Sequence, residues 1–197
     1  MQKILGNISQ GLFFVVSAPA GTGKNTLLNK LKKEFSCIKE SISFTTRQAR
    51  GEEKEGEDYF FIKEEEFQRK IAEKEFLEYA QVFEHLYGTD KKKIEDLQNK
   101  GIHVVLVIDT QGAMQIKEKI PSIFIFIKPP SLEELEKRLK KRGTESSESI
   151  RTRLKWAAKE MDMSSYYDYV VVNDDEEIAY DIFRSIFIAE EHRLNNF

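Results

Sequence analysis

Apolar runs of strand length alternating with helical stretches predict an α/β fold, a parallel sheet covered by helices on both faces. Three observations carry this. Leu12 to Val16, His103 to Ile108 and Ile123 to Ile127 are apolar runs, as expected of strands buried on both sides, and Tyr169 to Val172 is a last strand. The stretches between them repeat their apolar residues at helical spacing. A glycine-containing turn, Ser17 to Thr26, joins the first strand to the first helix, where open α/β sheets bind ligands.

After that turn, Lys24 to Phe35 places Leu27, Leu28, Leu31 and Phe35 on one helical face. Ile42 to Phe44 is a short candidate strand, and Tyr59 to Ile62 another. Glu64 to Lys74 reads as an amphipathic helix through Phe67 and Ile71. If Phe76 to Phe83 is extended, Leu77, Tyr79 and Gln81 share one side and Glu78, Ala80 and Val82 the other. Glu78 is then an acid among apolar neighbours, which needs partners because unpaired burial is costly. Leu86 to Thr89 reads as a turn. A helix from about Lys91 ends at Gly101, a natural C-cap.

His103 to Ile108 leads to Asp109, and Gln111-Gly112 opens a helix to Lys119 that Pro121 terminates. The pattern Ser131-Leu132-Glu133-Glu134 is a capping box for a helix reaching Arg142-Gly143. Further helices are expected from about Ile150 to Met163 and from Ile178 to Leu194. The lysine runs Lys91 to Lys93 and Lys140-Lys141 read as solvated helix surface.

With 197 residues the chain fits one domain with small insertions and can bury a substantial core. A formal net charge of -3 with 33% charged residues leaves no basic footprint of the kind nucleic-acid binding requires, so any anion site is local. Cys37 is the only cysteine, which excludes an internal disulfide and suits a reducing compartment. No apolar run reaches membrane-spanning or signal-peptide length. A cytoplasmic protein, with neither nucleic acid nor membrane as partner, is expected. His85, His103 and His192 stand singly, without metal-ligand spacing.

Ser17-Ala18-Pro19-Ala20-Gly21-Thr22-Gly23-Lys24-Asn25-Thr26 reads as a phosphate cradle. Its backbone N–H groups and the positive end of the following helix converge on one point, with Lys24 in reach of the β and γ phosphates of a nucleotide. The pattern G-x-x-x-x-G-K-[ST] is incomplete, with Ala18 for the first glycine and Asn25 for the hydroxyl residue; Thr26 supplies a hydroxyl one position late. Arg47 and Arg50 lie three residues apart in a loop with few apolar residues. Two planar donor forks of this kind can converge on one dianion.

In order and spacing, these stretches resemble the guanylate kinase family of P-loop nucleoside monophosphate kinases, from about Leu12 to Arg193. The resemblance rests on Ser43-Phe44-Thr45-Thr46-Arg47-Gln48-Ala49-Arg50 with Glu53, Gly56, Asp58 and Tyr59. It continues through Glu78-Tyr79-Ala80, Tyr87-Gly88-Thr89, Asp109-Thr110-Gln111-Gly112, Pro129-Pro130-Ser131, Arg142-Gly143-Thr144 and Val172-Asn173-Asp174-Asp175.

It implies a P-loop NTPase-type core, about residues 1–40 and 91–197, with a GMP-binding subdomain of mixed α+β structure at about 41–90 and a lid at about 138–155. It further implies ATP-dependent phosphorylation of GMP to GDP with Mg²⁺. Arg47, Arg50, Tyr59 and Tyr87 would hold the GMP phosphate, with Glu53 supporting their loop and Asp109 on the same side. Ser43, Glu78 and Thr89 would hold guanine. ATP would lie on Ala18 to Thr26, including Pro19, Ala20, Gly21, Thr22 and Gly23, with Asn173 near the adenine. Arg138, Arg142 and Arg153 would face the phosphates, and Thr26 is the candidate Mg²⁺ contact. Lys24, Arg47, Arg142 and Arg153 are the implied catalytic set. The chain departs from the family pattern at Ala18, Asn25, Leu86, Glu84-His85 and Val107, where the family usually has an acid.

Two other classes fit parts of the pattern. A catalytically silent guanylate-kinase-like binding module would tolerate the altered cradle, and a kinase for another phosphorylated acceptor would keep the cradle but not Ser43, Glu78 and Thr89.

Overall fold

The structure is a computed structural model describing residues 3–82, 84–143 and 146–194, with Arg142 described by its backbone alone. In chain order its strands are β1 (Phe13–Ser17), β2 (Ile38–Glu40), β3 (Phe44–Thr45), β4 (Phe60–Phe61), β5 (Phe76–Val82), β6 (His85–Asp90), β7 (His103–Val107), β8 (Ile123–Lys128) and β9 (Tyr169–Val172). The helices are α1 (Lys24–Glu34), α2 (Glu64–Ala72), α3 (Lys91–Gln98), α4 (Thr110–Ile116), α5 (Leu132–Arg142), α6 (Ser147–Asp162) and α7 (Glu176–Glu191), with a 3₁₀ turn at Met163–Tyr166.

Five strands form a wholly parallel sheet in the order β2-β7-β1-β8-β9. All five residues of the central strand β1 are buried, which is why its sequence is apolar without alternation. Phe14 and Val16 pack into one core with Leu27, Leu28 and Leu31 of α1 and Phe183 and Phe187 of α7. Phe13 and Val15 face the other core with Ile94 of α3 and Ala113 and Ile116 of α4. Helices therefore cover both faces, as expected. The Phe14 and Phe187 rings stack with centroids 4.0 Å apart, and each such fully buried ring contributes about 1.5–3 kcal/mol.

A second, mixed sheet of order β4-β3-β6-β5 is inserted between β2 and α3. Three expectations are corrected here. Leu86 to Thr89 is not a turn but the middle of β6, paired antiparallel with both β5 and β3. Gly88 is there because a Cβ would come within 3.0 Å of Phe67 and 3.1 Å of Phe76, so those rings pack directly on the backbone. The strand expected at Ile42 to Phe44 begins only at Phe44, and β2 before it had no distinct signal. Lys93 is not simply solvated: its ammonium sits 3.3 Å from the centroid of the Phe60 ring, a cation over the negative face of the ring.

The serine half of the capping box is present, while the Glu134 carboxylate pairs with Arg138 instead. Ser131 Oγ accepts from the Glu134 N–H, and α5 stops at Gly143, whose φ of 66° suits glycine. No helix among the described residues is long and apolar enough to cross a membrane.

Candidate active site

The turn from β1 to α1 is built by two left-handed glycines. Gly21 and Gly23 both have φ near 94°; a Cβ on Gly21 would strike Leu139 at 2.8 Å, and one on Gly23 would strike Asn173 at 2.5 Å. The glycines thus permit both the turn and the close approach of α5 and the loop after β9. The Thr22 N–H and hydroxyl both donate to the Pro19 carbonyl, and Asn173 Nδ2 donates to the Thr22 carbonyl at 2.6 Å. No side chain caps α1 at Gly23, so its first N–H groups point outward without a side-chain partner, as an anion site requires. Ala18 and Pro19 are buried, with the Ala18 methyl in the core, whereas Ala20 is exposed at the mouth of the main cleft.

Two cavities meet at this turn. The larger, about 850 Å³, is lined at one end by Lys24, Asn25, Asp109 and Arg153 and at the other by Ser43, Glu53, Tyr59, Glu78 and Tyr87. The smaller, about 490 Å³, lies behind the glycines against Thr26, Arg138 and Asn173. Asn25 and Thr26 therefore face different spaces.

Burial pushes the Lys24 ammonium below its usual range, opposed first by Glu160, then by Glu40 and Asp109. Asp109 caps α4, its Oδ1 accepting from the Gly112 N–H at 2.8 Å.

At the far end, β5 shifts register between Phe76 and Glu78. The expected alternation fails there, and both Leu77 and Glu78 are buried, Leu77 in the core of the main sheet. The Thr89 hydroxyl donates to Glu78 Oε1 at 2.5 Å, while Oε2 lies 3.2 Å from where a Cβ on Gly112 would sit. Only glycine leaves the carboxylate that space. Burial raises Glu78 to about 7; the Thr89 hydrogen bond opposes the shift and Asp109 adds to it.

Arg47 is only 6% exposed and four hydrogen bonds occupy its fork: two to the Glu53 carboxylate at 2.9 Å, one to the Gln48 carbonyl at 2.8 Å and one to the Tyr87 hydroxyl at 3.2 Å. Its guanidinium lies 5.3 Å from the Tyr59 ring centroid, and the Tyr59 and Tyr87 rings meet at 5.8 Å. Hydrogen bonds from Arg47 and from the Arg50 N–H hold Glu53 below the usual carboxylate range. The Arg50 side chain is exposed and is not among the residues that line the cleft.

Arg138 is placed differently from Arg153. It donates to the carbonyls of Asn173 (2.8 Å) and Asp174 (3.4 Å) and pairs with Glu134, so it braces the loop after β9. Arg153 lines the main cleft. The Arg142 side chain lies outside the described residues. Sequence reading missed Glu160 and Glu40. Glu160 falls one turn beyond the buried Ala157 on α6, an acid close to the apolar stripe, which is the signal that could have marked it.

The guanylate kinase family model matches residues 11–190. The chain is 50% identical over 190 residues to a guanylate kinase of Protochlamydia amoebophila, covering 96% of each chain. It is likewise 50% identical over 187 residues to one from Caldanaerobacter subterraneus, covering 94% of this chain and 91% of the other. The crystal structure of guanylate kinase from Anaplasma phagocytophilum superposes with a TM-score of 0.75 at 41% identity, over 94% of this chain and 89% of that one. A cradle and a buried carboxylate facing each other across one cleft, matched over nearly the full length, place this chain in the guanylate kinase family, the enzymes that phosphorylate GMP to GDP with ATP.

Proposed function

We propose that the main cleft holds GMP and the transferring phosphoryl group, with ATP reaching in from the smaller cavity across the cradle. The observation that carries this is the lining of the cleft, which runs from Lys24 to Glu78 without a break. In phosphoryl transfer the protein aligns two nucleotides and neutralises spreading charge. Lys24 and the first N–H groups of α1 serve the donor; Arg47, Arg50, Tyr59 and Tyr87 serve the acceptor phosphate, held by Glu53. Arg153 and Arg142, in a lid at about 138–155, close on the transferring group. The acceptor oxygen is already anionic, so no general base is assigned.

Glu78 accepts from the adjacent N1–H and N2–H donors of guanine, and Ser43 and Thr89 complete the base site within a subdomain of about 41–90. Because its hydroxyl proton already points at Glu78, Thr89 both orients the carboxylate and offers guanine its lone pairs. Asn173 borders the adenine side.

Among the described residues no three acidic, His or Cys side chains are grouped to hold a metal alone. The Thr26 hydroxyl, with the Asn25 amide oxygen nearby in sequence, fits an Mg²⁺ that arrives on nucleotide phosphates and keeps most of its waters. That ion, when bound, would supply charge neutralisation to the nucleotide phosphates. A cytoplasmic setting, where both nucleotides are abundant, fits the activity.

A coupled assay for ADP formation with GMP, AMP, CMP and UMP tests the reading. ADP release that depends on GMP, with AMP poorer by roughly 10⁴-fold, is expected. No GMP-dependent ADP formation would make the chain a binding module, and equal turnover of another acceptor would reassign the base site.

A further inference from the structure

We infer that Lys119 is a positioning residue for the base site: by binding the Leu77 carbonyl from the turn after α4, it fixes the strand irregularity that presents Glu78 to guanine. The role rests on the reading of Glu78 as the guanine acceptor. β5 shifts its register with β6 between Phe76 and Glu78, and among the described residues Leu77 has no register partner on β6. A backbone displaced from a ladder needs other hydrogen-bond partners and something to keep it displaced. α4 and the turn after it supply both. Lys119 Nζ donates to the Leu77 carbonyl at 2.9 Å, and the Leu77 side chain is buried in one cluster with Ala113 and Ile116 of α4. The Lys119 N–H in turn donates to the Ile116 carbonyl at 2.8 Å, so the lysine leaves the helix end at a fixed point.

Glu78, the next residue, inherits this placement. It is buried, its Oε1 takes the Thr89 hydroxyl, and its Oε2 lies 3.2 Å from where a Cβ on Gly112 would sit, in the first turn of the same α4. Gly112 thus bounds the carboxylate at one end of the helix, and Lys119 sets its backbone from the other. Glu78, Asp109 and Gly112 line the main cleft; Lys119 is not among its lining residues, so it acts through Leu77 rather than on a nucleotide. Burial raises Glu78, and after the Thr89 hydroxyl the Lys119 ammonium opposes that rise. Guanine offers two parallel donors, N1–H and N2–H, and a carboxylate meets both only in one orientation. Hypoxanthine offers N1–H alone and tolerates a tilt that breaks the second bond. The phosphate end of the cleft is independent of this support, since Arg47 is held within its own loop by Glu53 and the Gln48 carbonyl.

The test compares the full chain with Lys119→Met and Lys119→Arg in steady-state kinetics with GMP and with IMP, which lacks the N2 amino group, alongside thermal denaturation. Lys119→Met keeps the apolar stem and loses the donor. It is expected to raise KM for GMP about tenfold, to change KM for IMP by no more than about twofold, and to leave kcat and KM for ATP within about twofold. The preference for GMP over IMP then falls by roughly fivefold or more. Lys119→Arg retains a donor and is expected to stay within about twofold of the wild type on each constant. An unchanged preference in Lys119→Met overturns the proposal, whether GMP and IMP are both unaffected or both weakened together with a lower melting temperature. So does an arginine variant as impaired as the methionine one. A wild type with no preference for GMP over IMP would instead overturn the assignment of Glu78 to guanine.

Discussion

At the start of β7 the ring of His103, fully buried, accepts the Leu12 N–H on Nδ1 at 3.1 Å and donates from Nε2 to Glu191 at 2.7 Å. Glu191 also takes the Gly6 N–H, the Asn7 N–H and the Asn7 amide at 2.6, 3.0 and 2.8 Å. Burial alone would raise this acid, but so many donors hold it below its usual range. Beyond the other end of the same strand, Glu78 has one hydroxyl donor and Glu160 none among the described residues, and both stand near 7. The difference lies in the supply of donors. At the first end the fold provides them, and the charge stabilises the fold; at the second the fold gives Glu78 one donor, and on the proposed reading guanine supplies the others.

The two ends respond to pH with opposite sign. Glu191, depressed in the fold, contributes stability that is lost as pH falls through its folded value; His103, also depressed and obliged to stay neutral, loses stability below its unfolded value of 6.5. Glu78 and Glu160, raised in the fold, reduce stability progressively as pH climbs from 4.5 to about 7. Acid therefore erodes the His103 end while relieving the cleft.

Substitutions can sharpen this contrast. The largest effect is expected from Glu78→Gln: an amide presents a donor where guanine already donates, so kcat/KM for GMP should fall by roughly 10²-fold or more. The same variant should unfold at pH 8 with about 2 kcal/mol more stability than the wild type, because a strained carboxylate is removed. Denaturant titration beside GMP kinetics checks both halves, and a variant both unstable and fully active would reverse the assignment. Next comes Glu191→Ala, which strands Gly6, Asn7 and His103. It should cost about 3–5 kcal/mol of stability while leaving kcat and both KM values of the folded enzyme within about twofold. A kinetic defect in a stably folded sample would show that the two ends are coupled.

How much of this was legible in the sequence follows from the range of each interaction. The cradle from Ser17 to Thr26, the Ser131 cap and the apolar strands are local patterns, and the structure places them as read. Glu78 stood out as an acid among apolar neighbours, but its burial next to Leu77 depends on a register shift that no pattern announces. Leu86 to Thr89 reads as a turn in the sequence, whereas Gly88 serves the packing of Phe67 from α2 and Phe76 from β5. Asn7 and Glu191 meet only through tertiary packing, so nothing at their own positions marks the partnership. The resemblance set Arg138 toward the phosphates; in the fold it donates to the carbonyls of Asn173 and Asp174 at the edge of the smaller cavity.

The central claim is that the cleft keeps an acceptor waiting for guanine. ¹³C NMR of the glutamate side-chain carboxyls, titrated with and without GMP and assigned with Glu78→Gln and Glu191→Gln, tests it most directly. Without nucleotide, Glu78 should titrate near 7 and Glu191 below the ordinary range; with GMP saturating, Glu78 should drop by about two units or more while Glu191 stays in place. A Glu78 that titrates as an ordinary surface carboxylate, or that does not respond to GMP, would contradict the claim.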